Sequence, residues 1–247
     1  MTDLDERPRF VTVAGLHNLR DVGGYAVAGG GTTRWGQLLR GGALDELNAA
    51  AHEPMTGFGL RTIIDMREDK ELRGLPDSVF PAGVTNHRSP LYRGRISIAG
   101  MDNLPDIYTE ILTVCGPEIA AVLELLAAPG GLPAVVHCSA GKDRTGLVIG
   151  LLLSVLGVAD EVVAQDYAIT ETAYSDHERE RMIRKGLEMG ANADRITELM
   201  GSPPVVMHTI LDWLRAEYGG VEAYLLAGGL RPQSLTALRE ALVDPAA

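Results

Sequence analysis

The sequence lacks several features that would assign it to a specialised class of protein. Its 247 residues include two cysteines, Cys115 and Cys138, so at most one disulfide could form and a disulfide scaffold is excluded. The longest apolar stretch, residues 146–159, is well short of the roughly 20 residues that a membrane-spanning helix needs. The first seven residues are polar and acidic, unlike a signal peptide. We therefore expect a cytoplasmic protein with free thiols, while secretion by a signal-less route stays open.

Basic residues are also scarce. The chain has 22 Lys and Arg against 33 Asp and Glu, which gives a net charge of -11 at pH 7. This balance argues against nucleic acid as a partner and against stable membrane association, because both surfaces are anionic. Hydrophobic residues make up 46% of the chain, enough for a substantial core, and no repeat or linker divides it. We expect one domain over residues 1–247, with residues 1–9 as a flexible N-terminus.

Short runs of β-branched residues lie mainly in the first half, and helical patterns dominate the second half. A mainly parallel central sheet flanked by helices, that is an α/β fold, follows from this order. The predicted strands are 10–13, 36–40, 61–65 and 133–137, with a glycine turn at 29–31. The predicted helices are 118–128, 145–156, 160–173, 176–189, 202–218 and one that begins near residue 232.

The segment 133–156 carries the strongest chemical signal. A buried strand is followed by residues 137–146, with the sequence H-C-S-A-G-K-D-R-T-G, and then by an apolar helix; we refer to 137–146 as the Cys138 loop. The carboxyl end of a parallel strand is where α/β proteins bind ligands, and a helix N-terminus attracts phosphate. The same field favours the thiolate of Cys138, which is the nucleophilic form. The loop therefore predicts a phosphate site with a reactive cysteine.

The remaining loop residues have predicted roles in holding phosphate. Arg144 can present its planar fork to two phosphate oxygens, and Thr145 can donate a hydrogen bond to the sulfur. Neither a metal nor a cofactor is expected, because the loop and Arg144 supply the positive charge. The predicted substrate-binding residues are Ser139, Ala140, Gly141, Lys142, Asp143, Arg144 and Thr145.

Three other interpretations of the loop fit less well. A purely structural cysteine leaves the Gly, Lys and Arg of the loop without a reason. A nucleotide-binding loop requires glycine where Val136 stands, and Ser or Thr where Asp143 stands. Rhodanese-like enzymes lack the Arg-Thr-Gly ending. The catalytic interpretation is favoured.

The loop matches the signature H-C-x5-R-[ST]-G, and the chain resembles the Cys-x5-Arg phosphatase superfamily. Together with Lys142-Asp143, the blocks at residues 16–24, 34–44 and 218–225 resemble the atypical bacterial tyrosine phosphatases that also attack phosphoinositides. The resemblance covers residues 17–242. It implies a three-layer tyrosine-phosphatase-like fold with extra, lid-like helices after the loop helix, in the region of residues 178–185.

The resemblance also implies a reaction. We expect a cysteine-dependent phosphomonoester hydrolase that acts on phosphotyrosine proteins through a cysteinyl-phosphate intermediate. Lys142, expected at an exposed pocket rim, suggests a phosphoinositide or inositol-phosphate phosphatase as the alternative. A catalytically weak phosphate-binding module is the second alternative, and the oligomeric state stays open.

The proton donor is the open point of the site. The family places an acid shortly after the strand that ends near Ser89, but residues 89–93 contain no carboxylate. The candidates are Asp143, Asp102 and Asp106. We favour Asp143, because it lies in the loop and the charge of a bound phosphate favours its protonated form.

Five further residues have predicted structural roles. Residues 18–21 could line the site, but we favour a structural ion pair between Arg20 and Asp21. His137 is expected to orient the loop by hydrogen bonding. Asp65 ends a strand and is expected to act as a cap, and Cys115 is expected to be a buried small hydrophobe.

Overall fold

A computed structural model describes residues 8–13, 15–45, 47, 55, 57–73, 80–97, 101, 103–188 and 192–246. Residues 1–7 of the expected flexible N-terminus therefore lie outside the described part. Arg9, at its end, is anchored, because its guanidinium donates hydrogen bonds to the carbonyl oxygens of Asp21 and Gly23, both at 2.8 Å.

The strands of the described part are β1 (Arg20–Asp21), β2 (Thr32–Thr33), β3 (Leu38–Gly41), β4 (Thr62–Asp65), β5 (Thr85–Arg88), β6 (Ala134–His137) and β7 (Val243–Asp244). The centre of the fold is a five-stranded sheet in the order β1-β3-β6-β4-β5. The three pairings that involve β3, β6, β4 and β5 are parallel, and β1 is antiparallel to β3. The remaining two strands, β2 and β7, pair with each other. This confirms the predicted mainly parallel sheet.

Helices follow the strands along the chain, as predicted. In the described part they are α1 (Asp69–Leu72), α2 (Leu104–Ala127), α3 (Asp143–Val155), α4 (Asp160–Ala168), a 3-10 turn (Ile169–Thr172), α5 (Asp176–Glu188), α6 (Ala193–Met200), α7 (Pro204–Tyr218), α8 (Val221–Ala227) and α9 (Pro232–Leu242).

Both faces of the sheet are covered, because alternate residues of each strand point to opposite sides. Ile64 and Val136 face a large core shared with the helices, while Ile63 and Val135 face a smaller cluster on the other side. Such double coverage is typical of parallel sheets and gives the three-layer arrangement that the sequence predicted. Among the described helices, none is long and apolar enough to cross a membrane.

One sequence prediction for the elements is wrong and one is incomplete. Residues 10–13 do not form a strand; only Phe10 makes an isolated bridge, to Arg20, because its partner β1 is two residues long. The helix predicted to begin after Pro117 is the second part of α2, which follows a kink at Cys115, and the sequence prediction missed the first part. The backbone at Cys115 leaves helical geometry there (φ -109°, ψ 16°), as expected where a proline removes a donor and crowds the preceding turn.

Candidate active site

The Cys138 loop connects the central strand of the sheet to its most buried helix. Cys138 follows the last residue of β6, and α3 begins at Asp143. The neighbouring strand β3 ends against the loop, and a Cβ on Gly141 would lie 2.5 Å from the carbonyl carbon of Gly41. Gly141 also has φ of 70°, which disfavours other residues. The tight curl of the loop therefore requires glycine at this position.

The thiol of Cys138 lies inside this curl. The residue is 2% exposed, and its sulfur accepts a hydrogen bond from the backbone N–H of Gly141 at 3.3 Å. The start of α3 lies five residues further on. The sulfur of Cys138 therefore lies beside a backbone donor and near the N-terminus of α3.

Arg144 is held beside the loop by a carboxylate that the sequence analysis missed. Its Nη1 and Nη2 donate to the two carboxylate oxygens of Glu71 at 2.6 and 2.7 Å, and Nη1 also donates to the carbonyl oxygen of Met66 at 3.2 Å. Burial opposes ionisation of Glu71, but the hydrogen bonds and charge of Arg144 lower its pKa to about 2. Glu71 therefore stays ionised and fixes the guanidinium.

One edge of the guanidinium remains available. In the described part of the chain, Nε–H and one of the two Nη2 hydrogens have no partner, because Glu71 and Met66 occupy the others. The guanidinium carbon also lies 4.9 Å from the ring centre of Tyr92, which limits its movement. This edge can bind two phosphate oxygens while Glu71 keeps the other edge in place.

Asp143, the favoured proton donor, is joined to a chain of hydroxyl groups. Its Oδ1 accepts from the hydroxyl of Tyr108 at 2.7 Å, and the hydroxyl of Tyr167 lies 2.8 Å from that of Tyr108. Burial and the charge of Asp143 raise the pKa of Tyr108 well above its ordinary value, so Tyr108 remains a donor. Lys142 Nζ lies 3.2 Å from the same Oδ1. Oδ2 of Asp143 has no hydrogen-bond partner among the described residues.

Comparison with known proteins assigns the chain to a family. The model of the tyrosine phosphatase family matches residues 11–244. The chain belongs to the tyrosine phosphatase family.

Three relatives are similar to this chain over most of its length. A Cupriavidus necator protein described as a tyrosine-protein phosphatase is 26% identical over 241 residues, covering 89% of this chain and 87% of the relative. A tyrosine-protein phosphatase of Nostoc commune is 27% identical, covering 82% and 72%. The triple specificity protein phosphatase PtpB of Mycobacterium tuberculosis is 30% identical over 188 residues, covering 62% and 66%.

Lys142 of this phosphatase does not lie at an exposed rim, and that prediction is wrong. The residue is 4% exposed, and Nζ donates to the carbonyl oxygens of Leu199 and Gly201, the latter at 3.1 Å. The last carbonyl groups of a helix lack partners within the helix, so the end of α6 offers acceptors for an ammonium group. Lys142 thereby connects the loop to the helices that follow α5.

The other predicted proton donors, Asp106 and Asp102, and the predicted hydrogen-bond donor Thr145 have different outcomes. Asp106 is exposed in the first turn of α2, where its carboxylate accepts from Asn103 Nδ2 at 2.9 Å. Asp102 lies outside the described residues. Thr145 is fully buried, but its hydroxyl has no partner in the described part, so the predicted hydrogen bond to the sulfur is not formed here.

The predicted pair of Arg20 and Asp21 is also wrong. Consecutive strand residues point to opposite faces, and Arg20 instead pairs with Asp166, with 3.3 Å between Nε and Oδ1. Asp65 binds Arg67 and Arg88, and it also accepts the backbone N–H of Arg67 at 2.9 Å. Its predicted role as a cap is wrong, because the N-cap of α1 is Glu68.

The remaining structural predictions hold in part. His137 is buried with Nδ1 3.4 Å from the carbonyl oxygen of Cys138, and burial lowers its pKa to about 4. Cys115 is buried in the main core, as predicted.

Two further side chains contact the Cys138 loop, since Arg40 Nη2 donates to the carbonyl oxygen of Gly141 and Tyr174 Oη donates to that of Ala140. Sequence reasoning missed Glu71, Arg40, Tyr108 and Tyr174 at this site. Two of them had a signal. Arg40 is a charged residue in an otherwise apolar strand, and charged residues are rarely buried without a partner. Glu71 follows the carboxyl end of β4, which is parallel to β6 and so meets the same edge of the sheet. The two tyrosines resemble ordinary core residues in the sequence.

Proposed function

We propose that this phosphatase hydrolyses phosphotyrosine in proteins through a cysteinyl-phosphate intermediate on Cys138. The observation that carries the proposal is the juxtaposition of three groups at one helix N-terminus. Cys138 is hydrogen-bonded inside the loop, Arg144 has an available edge, and Asp143 begins the helix. This arrangement supports nucleophilic attack, charge stabilisation and proton transfer at one phosphorus atom.

The first step forms a bond between sulfur and phosphorus. The thiolate of Cys138 attacks phosphorus, and the bond from phosphorus to the tyrosine oxygen breaks. Arg144 and the loop N–H groups stabilise the charge on the three phosphoryl oxygens. Asp143 gives the proton on Oδ2 to the leaving oxygen, which departs as a neutral phenol.

The second step restores the enzyme. Water attacks phosphorus and gives a proton to the carboxylate of Asp143, and the bond between phosphorus and sulfur breaks. Inorganic phosphate forms and the thiolate returns. The unpartnered hydroxyl of Thr145 is a donor that can turn to the sulfur as it leaves.

A broader substrate range is the second candidate. The relative from Mycobacterium tuberculosis is named a triple specificity protein phosphatase. For phosphoinositides, Lys142 would have to leave the carbonyl groups of Leu199 and Gly201 to reach a second phosphate. A cytoplasmic location remains part of the proposal, because Cys115 and Cys138 are both free and a reducing compartment keeps thiols in that form.

The proton donor can be tested by pairing two substrates. For Asp143→Asn we expect about 100-fold slower hydrolysis of a phosphotyrosine peptide, but less than about tenfold slower hydrolysis of p-nitrophenyl phosphate. The reason is that p-nitrophenolate leaves without a proton. Asp106→Asn is the matched control and should leave both rates near those of the parent. Equal slowing of both substrates by Asp143→Asn would assign it a role in loop shape only.

A comparison of more substrates tests the substrate class. Phosphotyrosine, phosphoserine and phosphothreonine peptides and phosphoinositide vesicles would be compared by released phosphate. We expect the phosphotyrosine peptide to give the highest kcat/KM. A higher value on the vesicles would favour the lipid alternative, and no turnover of any substrate would favour the phosphate-binding module.

A further inference from the structure

Three successive carbonyl groups of the Cys138 loop are each bound by a donor from a distant part of the chain. They belong to Ser139, Ala140 and Gly141. The carbonyl oxygen of Ser139 accepts the backbone N–H of Ala43 at 3.0 Å. That of Ala140 accepts from Tyr174 Oη at 2.6 Å and from Asn18 Nδ2 at 3.1 Å. That of Gly141 accepts from Asn18 Nδ2 at 3.1 Å and from Arg40 Nη2 at 3.0 Å.

The direction of a carbonyl group fixes the direction of the next N–H. In a planar trans peptide the C=O of one residue and the N–H of the next point in opposite directions. Because the carbonyl groups of Ala140 and Gly141 point towards these donors, the N–H groups of Gly141 and Lys142 point the other way. The N–H of Gly141 does reach the sulfur of Cys138, at 3.3 Å. The donors therefore turn the loop amides towards the reacting centre.

Asn18 binds the loop carbonyl groups from an unfavourable backbone conformation. It has φ of 58°, in the left-handed region that few residues other than glycine, asparagine and aspartate occupy. It is 3% exposed, and its amide spans the carbonyl groups of both Ala140 and Gly141. Its Oδ1 accepts a hydrogen bond from Arg20, which fixes the direction of the Nδ2 donors. The asparagine of the block at residues 16–24 therefore connects this block to the Cys138 loop.

A surplus positive charge lies on the same side of the loop. Arg20 and Arg40 share one carboxylate, Asp166, and all three side chains are at most 1% exposed. Burial and the neighbouring Arg40 lower the pKa of Arg20 to about 10, so it is still charged at neutral pH. Two cations and one anion leave one positive charge, and Arg40 delivers it 3.0 Å from the carbonyl oxygen of Gly141. This charge favours an anion on the other side of the loop backbone.

We propose that Asn18, Arg40 and Tyr174 are positioning residues that aim the N–H groups of Gly141 and Lys142 at the phosphoryl group. The proposal rests on the proposed function in one respect, which is that the phosphoryl group binds inside the Cys138 loop. None of the three side chains takes part in a covalent step. They act by keeping the loop amides in the orientation that an anion requires.

Tyr174→Phe is the cleanest test, because it removes one hydroxyl group and no charge. Binding of inorganic phosphate to the parent and variant would be measured by calorimetry, without turnover. We expect the dissociation constant to rise about fivefold, the effect of one lost hydrogen bond. A dissociation constant within about twofold of the parent would overturn the role of Tyr174.

Tyr224→Phe is the matched control. The hydroxyl of Tyr224 also donates to a backbone carbonyl, that of Leu112, at 2.7 Å, but within the helical core. Both variants should lower the free energy of unfolding by a similar amount, whereas only Tyr174→Phe should weaken phosphate binding. If both variants weakened binding equally, the effect of Tyr174 would be one of general stability and the proposal would fail.

Asn18→Asp is the second variant. Aspartate tolerates the left-handed conformation and still accepts the hydrogen bond from Arg20, but it loses both donors to the loop. We expect the dissociation constant for phosphate to rise about 30-fold or more, since two hydrogen bonds are lost. Parent-like binding by a folded Asn18→Asp protein would contradict the proposal.

The outcome is separate from that of the catalytic mechanism. If Cys138→Ser kept its turnover, the cysteinyl-phosphate mechanism would fail, while the phosphate affinities would still decide the role of the positioning residues. If Cys138→Ser were inactive and both Tyr174→Phe and Asn18→Asp bound phosphate as the parent does, the positioning proposal alone would fail.

Discussion

Two arginine–carboxylate pairs lie beside the Cys138 loop, and they differ in burial. The side chains of Arg40 and Asp166 are 0% and 1% exposed, whereas those of Arg144 and Glu71 are 9% and 24% exposed. Both carboxylates have a pKa lowered to about 2 by arginine, against the opposing effect of burial. The same chemistry therefore occurs in two environments beside one loop.

The difference in environment separates two tasks. A fully buried pair cannot lose a partner without leaving a charge in an apolar interior, so Arg40 is fixed in place. Arg144 is fixed by Glu71 on one edge only, and its other edge remains available to a phosphoryl group. One pair shapes the loop, and the other presents a cation to the substrate.

Breaking the buried pair should have the largest effect. Asp166→Asn leaves two arginines without their shared anion, and we expect the free energy of unfolding to fall by about 3–5 kcal/mol. Chemical denaturation followed by circular dichroism would measure it. The control is Asp244→Asn, which breaks the exposed pair with Arg34 and should cost less than about 1 kcal/mol. Equal losses in the two variants would remove the distinction between the pairs.

Changing the accessible pair should affect catalysis instead. Arg144→Lys keeps the charge but loses the planar fork, and we expect kcat/KM for p-nitrophenyl phosphate to fall about 100- to 1,000-fold. Steady-state kinetics would show this, and thermal denaturation should place the variant close to the parent in stability. A near-parent kcat/KM would mean that Arg144 does not contact the phosphoryl group.

His137 sharpens the comparison, because it is a buried ionisable group whose nearest carboxylate oxygen, on Asp65, is 3.9 Å away. Burial lowers its pKa from 6.5 to about 4 despite the opposing charge of Asp65. The unfolded chain therefore binds a proton more readily, so the stabilising effect of neutral His137 is complete above about pH 6.5 and is lost as the pH falls towards 4.

The free energy of unfolding should therefore depend on pH in a way that can be measured. Between pH 7 and pH 5 we expect the parent to lose about 2 kcal/mol of unfolding free energy more than His137→Gln does. Denaturation at the two pH values would test it. Parallel loss in the two proteins would show that His137 does not govern this part of the profile.

The smallest effect concerns Glu71. Glu71→Gln weakens the hold on Arg144 without removing the cation, and we expect kcat/KM to fall about tenfold, with a small change in stability. Glu222→Gln, which breaks an exposed pair with Arg239, is the control and should leave kcat/KM unchanged. Tighter phosphate binding by Glu71→Gln would instead mean that Glu71 competes with the substrate.

The sequence predicted those parts of the site that are contiguous in the chain. The strand at Ala134–His137, the loop and the helix that begins at Asp143 are specified by their own residues, and the structure has all three. The mainly parallel sheet was also predictable, because early strands and late helices surround this strand-loop-helix unit. These features depend on local pattern and motif chemistry.

The rest of the site is assembled by tertiary contacts. Glu71 reaches Arg144 across 73 positions, and Lys142 turns to carbonyl groups that lie 57 and 59 positions away. Nothing near Lys142 in the sequence indicates that the end of α6 lies beside it, so its predicted exposure was wrong. The partner of Arg20 was missed for the same reason, since Asp166 is 146 positions away.

The central claim is that Cys138 carries the phosphoryl group during turnover. The most direct test is to mix the enzyme with a phosphotyrosine peptide, quench with acid within milliseconds and analyse the digest by mass spectrometry. We predict that the peptide containing Cys138 gains the mass of one phosphoryl group, that Asp143→Asn changes how much of this species accumulates, and that Cys138→Ser shows none. Full turnover by Cys138→Ser, or a phosphoryl group trapped on another residue, would contradict the account.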